Sequence, residues 1–481
     1  MIAGQHTRQS TIRCYGMIRP RWKSLGYAAA ILLFIALSYY GMVVAYTFPY
    51  IFSSLQHPLP WTEQDGGAEA FWFNTILNRY DEPTTGTGPI QWKLALSLLL
   101  LWAIVYWCVA FGKKILAKIT YVTVIMPVVL LVILVGRTVI LDGAMDGIQF
   151  YIGKFEYTQL LDIRVWATAC SQIMFSLSPG FGTAISFSSF TNKKEDVYKA
   201  CMIVAVTNST FSIVGGFAIF SMVGHLAFLQ NVPVAQIASR SGTGLAFITI
   251  AEAMQYFGPF ANVMSVLFFM MLFLLGLDSA FAWLETLVSY VDDFCDEMGW
   301  KKPATWKTTG VCVLALMSLG LLFTTRNGSA LLDVVDHFVG TIFLLVIVFL
   351  ESIMFKYDFG WQRLQYALMK ATYGNPGTPE GRKLFPKWLC RVDLNLTVPL
   401  ICGLLAGYLF IDDVRVTYGD YPGGLLAVGW SLLGLLMITT VLTLWKQDPS
   451  SLPPFSMDDI GKADDTVGTK PTTDAMGISE P

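Results

Sequence analysis

Gln172-Ile173-Met174-Phe175-Ser176-Leu177-Ser178-Pro179-Gly180-Phe181-Gly182 sets a proline and two glycines in the middle of an apolar run covering residues 165–190. Proline removes a backbone donor and clashes with the preceding turn, and glycine favours unwinding. Inside a bilayer such a break is tolerated where the freed backbone groups face protein or a cavity rather than lipid. Freed carbonyls and half-helix ends can hold ions and a small solute at the bilayer midplane. A plain proline kink fits the same letters, so the rest of the chain has to decide.

The surrounding sequence is that of a membrane protein. Of 481 residues, 54% are hydrophobic and 14% charged, and the mean hydropathy is +0.55. A helix needs about 20 apolar residues to cross the hydrocarbon core. Ten segments qualify, at approximately 24–54, 92–111, 119–140, 165–190, 198–229, 258–290, 305–324, 329–355, 392–411 and 423–445. The twelve residues Gly244 to Gln255 carry Glu252 and are expected to form an interfacial or re-entrant helix. Lys and Arg test the count, because they concentrate in cytoplasmic loops. With this assignment the N-terminal segment and alternate loops, edges included, hold 24 basic residues against 6 in the intervening loops, while Lys93 and Arg137 fall inside spans. Both termini are therefore expected in the cytoplasm.

The expected organisation is a cytoplasmic segment over 1–23, a transmembrane domain over 24–445 and a tail over 446–481 too poor in apolar residues to fold alone. The near-balanced charge, 32 basic against 34 acidic, leaves no footprint for nucleic acid. Eight scattered cysteines without a CxxC pair, and four isolated histidines, indicate neither a zinc site nor a dense disulfide framework. No nucleophile–base constellation is visible, so an enzyme is not expected. Nothing in the letters sets an oligomeric state. Asn327-Gly328-Ser329 is a glycosylation sequon in an external loop, close to a span.

Polar side chains at membrane depth are costly and read as functional by default. Asn208 and Ser212 in the fifth span are four residues apart and share a helical face, an arrangement that also suits plain helix–helix packing. In the sixth span Leu275-Gly276-Leu277-Asp278-Ser279 places a carboxylate in an apolar run that holds no Lys or Arg. A hard cation held by carboxylate, hydroxyl and carbonyl oxygens would balance that charge.

The chain resembles the neurotransmitter:sodium symporters. Besides Gln172–Gly182 and Leu275–Ser279, the resemblance rests on Gly4-Gln5, Lys23-Ser24-Leu25-Gly26-Tyr27-Ala28, Ser38-Tyr39-Tyr40, Phe52-Ser53-Ser54, Gly88-Pro89-Ile90-Gln91-Trp92, Ser186-Phe187-Ser188-Ser189-Phe190 and Gly244-Leu245-Ala246-Phe247, in one order to about Trp445. It implies sodium-coupled symport of a small amino acid or amine by alternating access, at the plasma membrane, in the inverted-repeat leucine-transporter fold. Ser176 and Asn208 would serve a first sodium. Leu275, Asp278 and Ser279 would serve a second. Gln172, Ser176, Asn208 and Ser212 match the chloride site, and neutral Ser212 implies that the anion is imported. Tyr40, Phe175, Ser178 and Phe181 match the substrate site, with Ala36 one turn before Tyr40, and Ser279 and Trp283 beside them. Asp336 and Asp292 match acids of the outer and inner gates.

There are departures from the family pattern. Trp283 stands where a smaller residue normally lines the pocket, Phe190 replaces a tyrosine, and the long external loop over 55–91 has no cysteine. The family has twelve helices, and the match begins at the end of the second. Ten transmembrane helices with two further spans upstream are therefore the expectation, and a non-transporting fragment, decoy or regulatory subunit is the alternative.

Overall fold

The computed structural model describes residues 1–80, 86–110, 113–154, 156–191, 195–238, 242–360, 364, 396–419 and 421–446, with side chains excepted at 113–117, 242 and 442–446. The tail from 447, Cys390 and Asn395 lie outside the described residues. Among the described residues the protein is all-α, the one extended pairing being an antiparallel bridge between Ile90 and Thr325.

Two short helices, α1 (Ile2–Thr7) and α2 (Thr11–Ile18), lead into α3 (Lys23–Ala45) and its continuation α4 (Thr47–Ser54). There follow α5 (Trp92–Ala110), α6 (Lys113–Thr138), α7 (Ile163–Leu177), α8 (Thr183–Ser188) and α9 (Val197–Gln230). The rest comprises α10 (Ala261–Glu297), α11 (Thr305–Gly320), α12 (Gly328–Val335), α13 (Leu344–Ile353), α14 (Val398–Arg415) and α15 (Gly423–Lys446). Residues Asp336–Phe343 join α12 to α13 as π-helical turns. Local sequence sets several ends. Asp162 caps α7 by accepting from Arg164 N–H at 2.9 Å, Asp196 caps α9 through Lys199 N–H at 3.0 Å, and Asn231 closes α9 in the left-handed region.

Eight helical runs among the described residues are long and apolar enough to cross a bilayer. Two of the ten expected segments are not among them, for different reasons. The run over 165–190 is divided into α7 and α8, each too short to span by itself, and α14 ends in Asp412, Asp413 and Arg415. The stretch 244–255 is continuous with α10 in helical character but turns sharply at Gly258 (φ 61°, ψ −131°). It is buried, not laid on a surface: Phe247 stacks on Trp72 at 4.9 Å, and Tyr50, Trp61 and Phe269 complete an aromatic cap.

The 37-residue α10, about 55 Å long at 1.5 Å per residue, is the pole around which α3, α4, α6 and α11 pack. Ion pairs cluster at the two ends of the bundle. At the end carrying α1 and α2, Arg13 pairs with Asp293 (3.4 Å), and Arg19 and Arg21 both reach Asp358 (2.8 and 2.5 Å). At the other, His337 meets Asp413 at 2.7 Å and Arg164 meets Asp412 at 2.9 Å. The hydrogen bonds to Arg164 hold its guanidinium pKa above the ordinary value, Tyr408 hydroxyl first and Asp412 after it.

Candidate functional site

Several of the expected site residues lie at or beside the interruption between α7 and α8. α7 stops at Ser178, whose backbone is left-handed (φ 56°, ψ 32°), and Gly180 and Gly182 follow at φ 79° and 73°. Space as well as conformation requires the two glycines. A Cβ on Gly180 would lie 2.9 Å from Leu344 Cδ1, and one on Gly182 would lie 1.9 Å from the Tyr290 hydroxyl.

The carbonyls released by the break are claimed by other helices. Tyr290 O–H donates to the Phe181 carbonyl (3.0 Å), and Thr11 O–H donates to the Gly182 carbonyl (2.9 Å). Glu351, 9% exposed on α13, accepts from Gly180 N–H and from the Tyr15 hydroxyl at 2.6 Å. Buried backbone groups must be paired somewhere, and here the pairing ties α2, α10 and α13 to the non-helical turn.

Four of the expected substrate residues form one aromatic group. Tyr40 lies 5.1 Å from Trp283, Phe175 lies 5.5 Å from Trp283 and 5.8 Å from Phe181, and Phe181 stacks on Trp283 at 4.9 Å. Ser178 sits at the break with its hydroxyl turned back to the Phe175 carbonyl at 3.3 Å. Ala36 is fully buried in the core one turn below Tyr40 and lines neither of the cavities that flank the aromatic group.

One flanking cavity, of about 400 Å³, is lined by Gln172, Phe175, Asp336, His337 and Tyr418 among others. Asp336 of the expected outer gate thus shares a wall with Phe175. Tyr418 of this lining and its neighbour Tyr421 donate to Asp333 at 3.3 and 2.7 Å. Burial first, and the Asp333 carboxylate second, hold both phenols above their ordinary pKa. The other cavity, of about 760 Å³, is lined by Thr123, Asn208, Leu275, Asp278 and Ser279 and runs between α6, α9 and α10.

The oxygen-bearing residues meet in pairs. Ser176 O–H donates to the Asn208 side-chain oxygen at 2.9 Å, joining α7 to α9. Thr123 O–H donates to the Asp278 carboxylate at 3.0 Å, and no basic side chain among the described residues forms a salt bridge with Asp278. Ser279 O–H points to the Leu275 carbonyl at 3.5 Å, and Ser212 O–H bonds the Asn208 carbonyl within α9 at 3.0 Å. Gln172, Ser176, Ser212 and Leu275 are exposed, so this face of the site is open. Carboxylate, hydroxyl, amide and carbonyl oxygens are the ligand types that a hard cation takes. Clusters of three or more His, Cys, Asp or Glu suited to a metal ion are absent among the described residues.

At the inner end Asp292 is half-buried, and its neighbour Asp293, 5% exposed, is the residue bonded to Ser10 and paired with Arg13. Sequence reading passed over Asp293, Thr11, Tyr290 and Glu351. Glu351 carried a signal, since it is a carboxylate in the apolar run 329–355. Thr11 and Tyr290 carried none, because only the fold brings them to residues 181 and 182.

A bundle of apolar helices packed around α10, with one helix broken at 178–182 and an aromatic group beside the break, defines an integral membrane protein that is all-α among the described residues. The chain belongs to the sodium:neurotransmitter symporter family, whose model matches residues 1–68 and 63–447. This is a family of membrane transporters, not of enzymes. Among curated relatives, the chain is 30% identical over 397 residues to "Sodium-dependent nutrient amino acid transporter 1" of Drosophila grimshawi, an alignment covering 75% of this chain and 61% of the relative. The transporter of the same name from Drosophila virilis is 31% identical, with 74% and 62% covered. The human "Sodium- and chloride-dependent taurine transporter" is 29% identical, with 92% and 75% covered. The chain thus spans a little over 60% of the length of the two insect relatives.

Proposed function

We propose that this chain serves sodium-coupled symport of a small amino acid or amine by alternating access, with chloride as a co-ion. The observation that carries the reading is the broken helix at 178–182: its Phe181 joins the aromatic group of Tyr40, Phe175 and Trp283, and Ser176 just before it bonds Asn208, which lines one cavity with Asp278 and Ser279. Relatives named for sodium-dependent amino acid or taurine transport add weight.

In this reading Ser176 and Asn208 contribute to a first sodium site, and Leu275, Asp278 and Ser279 to a second. Gln172, Ser176, Asn208 and Ser212 form the chloride site. An anion there would balance the imported cations, since Lys199 is the one charged residue of α9. The aromatic group and Ser178, with Ala36 behind them, bind substrate. Asp336 closes the outer side and the Asp292–Asp293 pair the inner side, through Arg13. The excess of Lys and Arg in the N-terminal segment and alternate loops favours cytoplasmic termini in a plasma-membrane protein.

The test is uptake into proteoliposomes of labelled amino acids and amines under an imposed sodium gradient, with and without chloride. Accumulation of one class that collapses when choline replaces sodium is the expected result. Flat traces across the panel, from protein shown to be folded, would overturn the reading.

One observation favours a second reading. The Trp283 indole, 4% exposed, occupies the middle of the aromatic group, touching Tyr40, Phe175 and Phe181. A filled site suits a non-transporting membrane subunit. Trp283→Ser separates the two: uptake that appears only in the variant supports the filled-site reading, and uptake in the unsubstituted chain removes it.

A further inference from the structure

α7, the half-helix that ends at the break, packs along α14, and two contacts set their register. Arg164 Nε–H donates to the Tyr408 hydroxyl at 3.2 Å, and the same guanidinium reaches Asp412 at 2.9 Å. Six residues further along α7 is Cys170, and six residues back from Tyr408 along α14 is Cys402. Their thiols lie within hydrogen-bonding reach of each other, so the two helices run antiparallel with the sulfurs facing. Ala167 and Ala406, both buried, stand one turn nearer the Arg164 end on the same helix faces. A disulfide needs its Cα atoms within about 7 Å, and small residues at a helix contact favour such an approach.

The surroundings give an oxidant a way in. Cys170 is half-buried, and its neighbours Thr168, Ser171 and Gln172 line the cavity of about 400 Å³ described above. Cys402 lies behind it, 1% exposed. The pair sits about 9 Å along α7 from Arg164 at 1.5 Å per residue, towards the bundle end opposite α2. With the termini in the cytoplasm, that end faces the outside, where disulfides persist.

We propose that Cys170 and Cys402 are a redox modification site, forming a disulfide that ties α7 to α14 when a peroxide enters the cavity. The peroxide O–O bond breaks as the Cys170 sulfur takes one oxygen, leaving a sulfenic acid and, with the thiol proton, one water. The Cys402 sulfur then attacks that of Cys170. The S–O bond breaks, the S–S bond forms, and the hydroxyl leaves with the Cys402 proton as a second water. The two sulfurs lose two electrons and the peroxide gains them. A dithiol reverses the bond by exchange. One consequence rests on the symport reading: alternating access needs elements of the site to move, and α7 bonded to α14 cannot shift against it.

The test uses the full chain in vesicles, reduced with dithiothreitol, freed of it, exposed to hydrogen peroxide, alkylated, and mapped by mass spectrometry without further reduction. A peptide holding Cys170 joined to one holding Cys402 is expected, with equal loss of the two free thiols and return of both after dithiothreitol. Cys402→Ala should leave Cys170 as a sulfenic acid that dimedone traps, and Cys170→Ser should leave Cys402 free for alkylation. Either cysteine bridged elsewhere, or both still free after a peroxide dose that oxidises methionines of the same protein, would overturn the proposal. Uptake by the unsubstituted chain should fall with peroxide and recover with dithiothreitol, and uptake by Cys170→Ser should stay level. An equal fall in both would overturn the tie as its cause. The bridge is read by mass, so a chain that takes up nothing fails the symport reading and not this site.

Discussion

The Tyr290 hydroxyl donates a 3.0 Å hydrogen bond to the carbonyl of Phe181, so a side chain of the longest helix holds the backbone of the broken one. Tyr290 is 3% exposed and Phe181 fully buried. Removing the hydroxyl leaves a buried acceptor short of a partner, which costs about 1–3 kcal/mol. Tyr290→Phe is therefore expected to lower the thermal midpoint of the purified protein by a few degrees while leaving its helix content unchanged. Gly182→Ala should be far more damaging, because its Cβ would collide with both Tyr290 and Thr11 at a backbone of φ 73°. A Gly182→Ala protein as stable as its parent would show that the turn is not held as described.

Asp278 has a hydroxyl partner, Thr123, and no salt bridge among the described residues. If its charge is balanced by sodium, Asp278→Asn raises the sodium concentration for half-maximal uptake by about tenfold or more, with surface expression retained. An unchanged sodium titration would remove Asp278 from the ion site.

Ser212 lies one helical turn after Asn208, on an exposed face of α9. Ser212→Glu puts a fixed negative charge where the chloride reading puts the anion. Uptake by the unsubstituted protein should fall when gluconate replaces chloride, and uptake by the variant should not. Loss of chloride dependence in neither or in both would dissociate Ser212 from anion binding.

Cys14, fully buried on α2 ahead of the first span, titrates high: burial pushes its thiol from an ordinary 9.0 up to about 11. The folded state then holds a proton between those values that the unfolded chain gives up. The raised value helps stability fully below pH 9, and the advantage is lost as pH climbs through the window to about 11. Cys14→Ala should flatten the fall in thermal midpoint between pH 9 and 10.5. Maleimide capture at pH 7.5, read by mass spectrometry, should be about a hundredfold slower for Cys14 in the folded than in the denatured protein. Equal rates would mean that α2 is not packed as described.

Composition and apolar run length determined by themselves that this is a membrane protein of helices, because lipid leaves few ways to satisfy a backbone and each leaves a long apolar signature. Pro179, Gly180 and Gly182 determined the break, since their effect is local to the chain. Asp278 was legible for a related reason, a carboxylate in an apolar run being costly wherever the rest of the fold lies. What only the tertiary structure decided is what each of these meets. Trp283 packs into the aromatic group and not away from it, the stretch 244–255 is buried under Trp72, and Asp293 is the acid joined to Ser10 and Arg13. Thr11 and Tyr290 are separated by most of the chain, yet their hydroxyls bond consecutive carbonyls of the same turn. Local sequence fixes where a backbone must break, because sterics act between neighbouring residues. The partners of the broken backbone are set by packing over hundreds of residues, and no periodicity along the chain records it.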